Sequence, residues 1–328
     1  MDRPTGLRPT VAVLGVGPGD APSEIGAAAE LAELRFTSDR DELPSVLPGA
    51  DVLFTWGPGN GWVAGGWGSV DRLRWIQSAS DGVDRLLFPE LVHSDVVVTN
   101  ARGVFEGPIA EWVLGAILAF ETGLRTSILD TAAGTWNDER TRGSVAGRHL
   151  LVVGPGPIGR STATLARAFG MSVSAVGRAA RPDPVFGDVL GPDDLHDALA
   201  VADHVLNALP LAGGTERYFD ADVFTAMRTG ACFYNVGRGA TVDQDALTDA
   251  LERGQLGGAA LDVFEDEPLP RAAPLWSLPN VIVSPHVCGD VDGWREAVVD
   301  IFVDNLSRFV RGAPLRNLVD TSAGFGVG

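Results

Sequence analysis

The stretch "LLVVGPGPIGR", Leu150 to Arg160, decides how this chain is read. An apolar run, a glycine-rich turn and the start of a helix-forming run follow in that order. Gly154, Gly156 and Gly159 fit G-x-G-x-x-G, and the helix-like "IGRSTATLARAFG" follows at once. Alone the pattern is a weak signal; between a strand and a helix it is a dinucleotide-binding fingerprint. The first glycine makes the tight turn and the second lets backbone approach a pyrophosphate. The third lets helix and strand pack closely, with the anion at the helix N-terminus. Pro157 stands where the helix should begin, which suits its fixed φ. It has no N–H for a phosphate, so the pyrophosphate is expected to lean on the amide of Ile158 and on water.

A second glycine loop, "VAVLGVGPGD" from Val11 to Asp20, competes with the first. It has Gly15, Gly17 and Gly19, but Asp20 stands where the third glycine belongs, and its carboxylate would face the phosphate. An ordinary turn after the first strand is the better reading. Past the first loop, the strand "SVSAVGR" ends at Gly177 and Arg178. An NAD site places Asp or Glu there, to accept from the ribose 2′-OH. This chain has no acid at that point. Gly177 opens space, Arg178 supplies positive charge, and Arg181 adds to it. A guanidinium grips phosphate in a bidentate fork, so NADP(H) is preferred and NAD(H) stays open.

Composition narrows the chemistry further. The chain has 328 residues, 45% of them hydrophobic, and a net charge of −18. That length suits two domains, and that charge repels nucleic-acid backbones, so no nucleic-acid partner is expected. All 25 basic residues are Arg. Without Lys there is no Schiff-base chemistry, no pyridoxal-phosphate attachment and no Walker-type phosphate loop. Cys232 and Cys288 show no metal-ligand spacing, so no metal is expected, and a reduced cytoplasmic chain follows. The start "MDRPTGLRPTVAVLG" has no long apolar region that would read as a signal peptide. The run Ile109–Phe120 contains Glu111 and is too short to span a bilayer, so no membrane partner is expected.

Strand-like and helix-like runs alternate, which predicts a parallel α/β sheet. The first series holds "TVAVLG", "DVLFTW", "RWIQSA" and "VVVTNA". The second holds "HLLVVG", "SVSAVG", "DHVLNAL", "ACFYNVG", "GAALDVF" and "NVIVSPH". Between them one long helix is expected over "VFEGPIAEWVLGAILAFETGLRTSILD", then a polar loop around Trp136. A last helix-like run, "DGWREAVVDIFVDNLSRFVRG", closes the chain. The expected domains are 101–286, which binds the dinucleotide, and 1–100 with 287–328, which binds substrate. Clefts between such domains are common ligand sites.

Three stretches at strand ends carry chemistry: "NVGRGA", "LDVFEDEP" and "SPHVCGD". They supply Arg238, Glu267 and His286. In an open α/β sheet, ligands bind beyond the carboxyl ends of the strands. Reducing a carbonyl needs hydride on one face, a proton donor at the oxygen and a grip on the substrate. His is the natural donor near neutral pH, and a nearby carboxylate favours its charged form. Arg238 can hold a substrate carboxylate and polarise the adjacent carbonyl.

The second half closely resembles the D-isomer-specific 2-hydroxyacid dehydrogenase family. The resemblance is carried by "VVGPGPIGR", "NALPLAGGTERYFD", "NVGRGATVDQDAL", "GAALDVFEDEPLP" and "LPNVIVSPHVCGD". The first half is similar more loosely, through "WIQSASDGVD" and "TNARGVFEGPIAEWVLGAILA". The resemblance implies two Rossmann-like domains, a nucleotide-binding doubly wound parallel sheet inserted into a smaller flavodoxin-like substrate domain. It implies that Arg238 orients a 2-keto acid, His286 is the general acid/base and Glu267 its partner. It puts Asp262 on the nicotinamide carboxamide, and Leu209, Pro210 and Thr215 near the adenosine end. It adds Val236, His286 and Gly289 to the cofactor contacts. The loop Ser80, Asp81, Gly82 would offer backbone amides to the substrate carboxylate.

By the same resemblance the protein is a homodimer paired through the nucleotide-binding domain, with the Trp136 loop near the partner. Small 2-keto acids such as glyoxylate and hydroxypyruvate are the expected substrates, reduced to D-2-hydroxy acids. A bulkier 2-keto acid is the nearest alternative; a nicotinamide-sensing corepressor that shares the fold is the other. Two residues depart from the family pattern. Asp81 replaces a small residue beside an anionic substrate, and Pro157 replaces a residue that normally serves the pyrophosphate.

Overall fold

A computed structural model describes residues 8–139, 141–322 and 324–326. The chain divides into two units, Met1–Phe105 with Asp292–Gly328, and Glu106–Val291.

The main sheet of the first unit is built from β1 (Thr10–Leu14), β2 (Glu33–Thr37), β3 (Val52–Thr55), β4 (Trp75–Ser78) and β5 (Val97–Thr99). They form a parallel sheet in the order β2-β1-β3-β4-β5. That is the flavodoxin-like order. β1 and β3 are buried from end to end, as strands covered on both faces must be. One face packs on the C-terminal helix Trp294–Arg311, where Phe302 stacks on Phe54 with ring centroids 4.1 Å apart. The other face packs on Leu43, Leu47, Val63 and Leu86.

The second unit holds β6 (His149–Val153), β7 (Ser172–Val176), β8 (Arg181–Asp183), β9 (Gly187–Leu190), β10 (His204–Asn207), β11 (Cys232–Asn235), β12 (Gly258–Leu261) and β13 (Val281–Val283). Their order is β13-β12-β11-β10-β6-β7-β9-β8. All neighbours are parallel except the closing hairpin of β8 and β9. Strand order reverses between β6 and β10. In open α/β sheets ligands bind at that switch point, beyond the carboxyl ends of the strands. The glycine loop follows β6 and therefore lies at the switch.

The long helix expected after Gly103 is two helices, Glu106–Glu121 and Leu124–Ala133, bent by 67°. Gly123 separates them at φ +68°, a left-handed conformation that stops a helix and that glycine adopts at little cost. The first helix buries Ile109, Ala110, Val113, Leu114, Ala116 and Ile117. Among the described residues no single helix is long and apolar enough to cross a membrane. The units meet at 105/106 and 291/292, later than the expected 100/101 and 286/287. Val104 and Phe105 pack into the first unit's core, which draws that join past them. Residues 287 and 288 are tied to Asp262, which keeps them with the second unit.

Candidate active site

Two of the three loop glycines leave no room for a side chain. Gly154 sits at φ +99°, and a Cβ there would lie 2.7 Å from the Ala208 carbonyl oxygen. A Cβ on Gly159 would lie 2.6 Å from the Gly154 carbonyl oxygen and 2.7 Å from Val152 Cγ1. Gly156 differs: a Cβ there would meet nothing within 4 Å. The loop is closed against the sheet and open above the helix it caps. The helix runs Pro157–Ala168, with Gly156 at its N-cap and no side chain capping it. Its first amides, those of Ile158 and Gly159, have no partner within the helix. Open ground over unpartnered amides fits a pyrophosphate.

The competing loop shares the closed first glycine but lacks the open ground. Gly15 is closed off by the Trp56 carbonyl oxygen, 2.2 Å from the Cβ position. Asp20 Oδ2 lies 3.3 Å from the Cβ position on Gly17, over the ground a phosphate would need. The chain goes on through Pro22 into a short 3-10 turn, Ser23–Ile25.

At the end of β7, Gly177 stands in close quarters. A Cβ there would lie 3.0 Å from Val189 Cγ1, 3.1 Å from Pro155 Cγ and 3.3 Å from Arg181 Nη1. Arg181 is thus brought back from β8 to the end of β7. Arg178 is exposed beside them.

The loops after β10, β11 and β12 lock onto one another through backbone contacts and buried amides. A Cβ on Gly237 would lie 2.4 Å from the Leu209 carbonyl oxygen, and one on Gly239 would lie 1.8 Å from the Phe264 carbonyl carbon. No larger residue fits at either place, so Arg238 is held between glycines that press on the loops at each side. Arg238 Nη1 donates to the Gly237 carbonyl at 2.8 Å. Asn207 Nδ2 donates to Asn235 Oδ1 at 3.0 Å and to Thr241 Oγ1 at 2.7 Å. Thr241 Oγ1 donates in turn to the Arg238 carbonyl at 2.6 Å. Asn207, Asn235 and Thr241 are buried, and this network was not anticipated from the sequence.

Of the expected cofactor contacts here, Val236 is buried and its amide donates to the Asn207 carbonyl at 3.2 Å. Leu209 is half-buried, its amide held by Asn207 Oδ1, and Pro210 is exposed. Thr215 turns its hydroxyl inward, donating to the Pro210 carbonyl at 2.7 Å, so its hydroxyl shapes this loop.

His286 Nδ1 and Glu267 Oε2 are 2.9 Å apart. Glu267 Oε1 also accepts from the Phe264 amide at 3.2 Å, which fixes the carboxylate across its own turn. His286 adopts φ +59°, unusual for a residue with a side chain. Asp262, the residue expected to contact the nicotinamide, lies beneath this loop at 1% exposure. Its Oδ1 accepts from the Val287 amide at 3.0 Å, and both oxygens accept from the Cys288 amide at 3.2 Å. A buried carboxylate needs such partners, and these fix the backbone directly after His286. Gly289 is buried next to it. Burial, followed by the Asp262 charge, pushes the Asp290 carboxyl up. The same causes push the Cys288 thiol far up, which removes it as a nucleophile.

In the first unit, the loop Ser80–Gly82 follows β4. The Ser80 amide donates to Ser78 Oγ at 3.1 Å, so it is already engaged. Asp81 turns its carboxylate onto Asn100, whose Nδ2 donates to Oδ1 at 3.0 Å and to the Asp81 carbonyl at 2.7 Å. Gly82 is half-buried in the same turn. Among the described residues no cluster of His, Cys, Asp and Glu could hold a metal ion.

This arrangement suits acid–base chemistry next to a bound dinucleotide, and comparison with known proteins agrees. The model of the D-isomer specific 2-hydroxyacid dehydrogenase NAD binding domain matches residues 114–288. The chain belongs to the D-isomer-specific 2-hydroxyacid dehydrogenase family. Glyoxylate/hydroxypyruvate reductase B of Escherichia fergusonii is 32% identical over 76% of this chain and 79% of its own. A solved D-isomer specific 2-hydroxyacid dehydrogenase family protein from Aeromonas salmonicida is 30% identical, with a TM-score of 0.80 over 96% of this chain and 99% of its own. An NADPH-dependent glyoxylate/hydroxypyruvate reductase from Sinorhizobium meliloti, solved with NADP and sulfate, is 25% identical. Its TM-score is 0.81, over 97% of this chain and 100% of its own. Like its family, this 2-hydroxyacid dehydrogenase is an NAD(P)-dependent oxidoreductase.

Proposed function

We propose that this dehydrogenase works as an NADPH-preferring reductase of small 2-keto acids, of the glyoxylate and hydroxypyruvate class, giving D-2-hydroxy acids. The observation that carries the cofactor preference is the end of β7, where Gly177 and the Arg181 guanidinium stand in place of an acid. An Asp or Glu there would accept from a ribose 2′-OH and repel a 2′-phosphate; guanidinium groups do the reverse. The relatives that reduce glyoxylate and the neighbour solved with NADP support the same reading.

When bound, the nicotinamide supplies the hydride. The chain's own residues manage the proton and the substrate. With Nδ1 of His286 facing the Glu267 carboxylate, Nε2 is left to give the proton to the substrate oxygen. Glu267 steadies the ring while it is charged. Arg238 grips the substrate carboxylate and polarises the carbonyl beside it. The enzyme pairs as a homodimer through the nucleotide-binding unit. Support for this is a set of exposed apolar side chains, Leu124, Ile128 and Leu129 on one helix and Trp136 just beyond it. Such patches mark interaction surfaces.

The test is oxidation of NADPH and of NADH by the purified enzyme with glyoxylate, hydroxypyruvate, pyruvate and phenylpyruvate. We expect kcat/KM about tenfold or more higher with NADPH, the size of one charge-assisted phosphate contact. Equal use of NADH would overturn the cofactor reading, and a preference for phenylpyruvate would overturn the substrate reading.

A further inference from the structure

Arg160, the residue after the third glycine, reaches from the phosphate-binding helix to the β8–β9 hairpin. Its Nη1 and Nη2 meet Asp183 Oδ1 and Oδ2 at 2.8 and 2.5 Å, a bidentate pair. Asp183 is buried, its side chain 2% exposed. Its Oδ1 also accepts from the amides of Val185 and Phe186, at 2.9 and 3.1 Å, which closes the hairpin turn. Phe186 is buried beneath, 5.8 Å from the Arg160 guanidinium. The hairpin is thus pinned to the helix at one point and to β7 by the pairing of Ala175 with Val189 and Val176 with Leu190.

Arg181 lies two residues before Asp183 on β8, and residues two apart on a strand share a face. Its Nη1 comes within 3.3 Å of the Cβ position on Gly177, next to Pro155 of the glycine loop. Among the described residues Arg181 has no acidic partner. An Arg with no carboxylate of its own, held at the end of the second strand by a buried ion pair, is prepared for an anion.

We propose that Asp183 and Arg160 are positioning residues for NADPH selectivity: they fix the hairpin so that Arg181 stands at the cofactor's 2′-phosphate. This rests on the NADPH reading above and deepens it. Neither residue touches the phosphate; they act through Arg181. A flexible Arg loses side-chain entropy on binding, and a hairpin already fixed in place reduces that loss.

The test measures affinity for 2′,5′-ADP and 5′-AMP by calorimetry, and KM and kcat with NADPH and NADH. The proteins are the wild type, Asp183→Asn, Arg181→Met and the double variant. Asn keeps an acceptor for the Val185 and Phe186 amides and removes the charge that holds Arg160. We expect Asp183→Asn to raise KM for NADPH by roughly tenfold, with KM for NADH and kcat at saturation retained. Arg181→Met, at an exposed position, should lose the preference for 2′,5′-ADP. The double variant should lose little beyond Arg181→Met alone, because both changes remove one interaction. Additive losses would overturn the proposal, as would equal rises in KM for both cofactors, or an unchanged NADPH preference in either single variant. A wild type that does not separate 2′,5′-ADP from 5′-AMP would overturn the NADPH reading itself, a result distinguishable from the others. If Asp183→Asn fails to fold, Arg160→Met breaks the same pair from its other side and is held to the same outcomes.

Discussion

Replacing Glu267 by Gln separates the charge of the His286 partner from its shape. The two side chains meet at 2.9 Å and are 44% and 20% exposed. Unit charges about 4 Å apart attract by about 4 kcal/mol at an effective dielectric of 20, and by about 1 kcal/mol in bulk water. With the imidazole nearly half exposed, the lower part of that range applies, about 1.5 kcal/mol. That is about tenfold in rate. Gln also has a single acceptor oxygen for two donors, the His286 ring and the Phe264 amide, which both bond the carboxylate here. One of them must lose its partner, so the total deficit should lie between about tenfold and a hundredfold. The assay is steady-state oxidation of NADPH with glyoxylate, in wild-type and in His286→Ala backgrounds. Glu267→Gln should lower kcat in the first and change it less than about twofold in the second, since the carboxylate acts through the ring. Equal losses in both backgrounds, or none in the wild type, would refute the pairing as the source of acid catalysis.

Other changes test other parts of the structure. His286→Ala alone should cut turnover by about two to four orders of magnitude in the same assay, the usual worth of a general acid. Gly159→Ala would press a Cβ to 2.6 Å from the Gly154 carbonyl oxygen, and should cost about 1–3 kcal/mol in urea unfolding while weakening cofactor binding. The Asp183 carboxyl, held at about 2 rather than 3.8 chiefly by its hydrogen bond to Arg160, favours the folded state. Its contribution of about 2 kcal/mol is present above about pH 4 and is lost as pH falls through 2, because the unfolded chain takes up the proton first. Urea midpoints measured between pH 6 and pH 3 should therefore fall less steeply in Asp183→Asn than in the wild type.

Much of this fold can be read directly from the chain because its parallel strands are buried on both faces. Buried strands appear as short apolar runs, and each run quoted from the sequence contains a strand of the structure. What was missed lies at sheet edges or, like β9, next to one. β2, "ELRFT", is exposed or half-buried until Thr37, so its polar residues hide it. β8 is three residues with a proline in the middle, "RPD", and proline in a run speaks against a strand unless it lies at an edge, as it does here. The break at Gly123 was overlooked for another reason. The apolar run carries on through it, and a glycine within a helical pattern reads as tolerated until its φ is known.

The site divides in the same way. Arg238, Glu267 and His286 stand out because their chemistry is distinctive. The residues that position them do not, yet the chain does carry a signal for them. β10 ends in Asn207, β11 ends in Asn235, and Asp262 comes directly after β12. Each is a polar residue closing an apolar strand, and each is nearly or wholly buried. A buried polar group must find hydrogen-bond partners, and at the last residue of a strand the nearest ones belong to the neighbouring loops. Such a residue can be read as a brace for the loops that carry the chemistry. A carboxylate that accepts from the Val287 and Cys288 amides at 1% exposure supports the acid–base loop from beneath, and the positive φ of His286 is the conformation that this support holds in place.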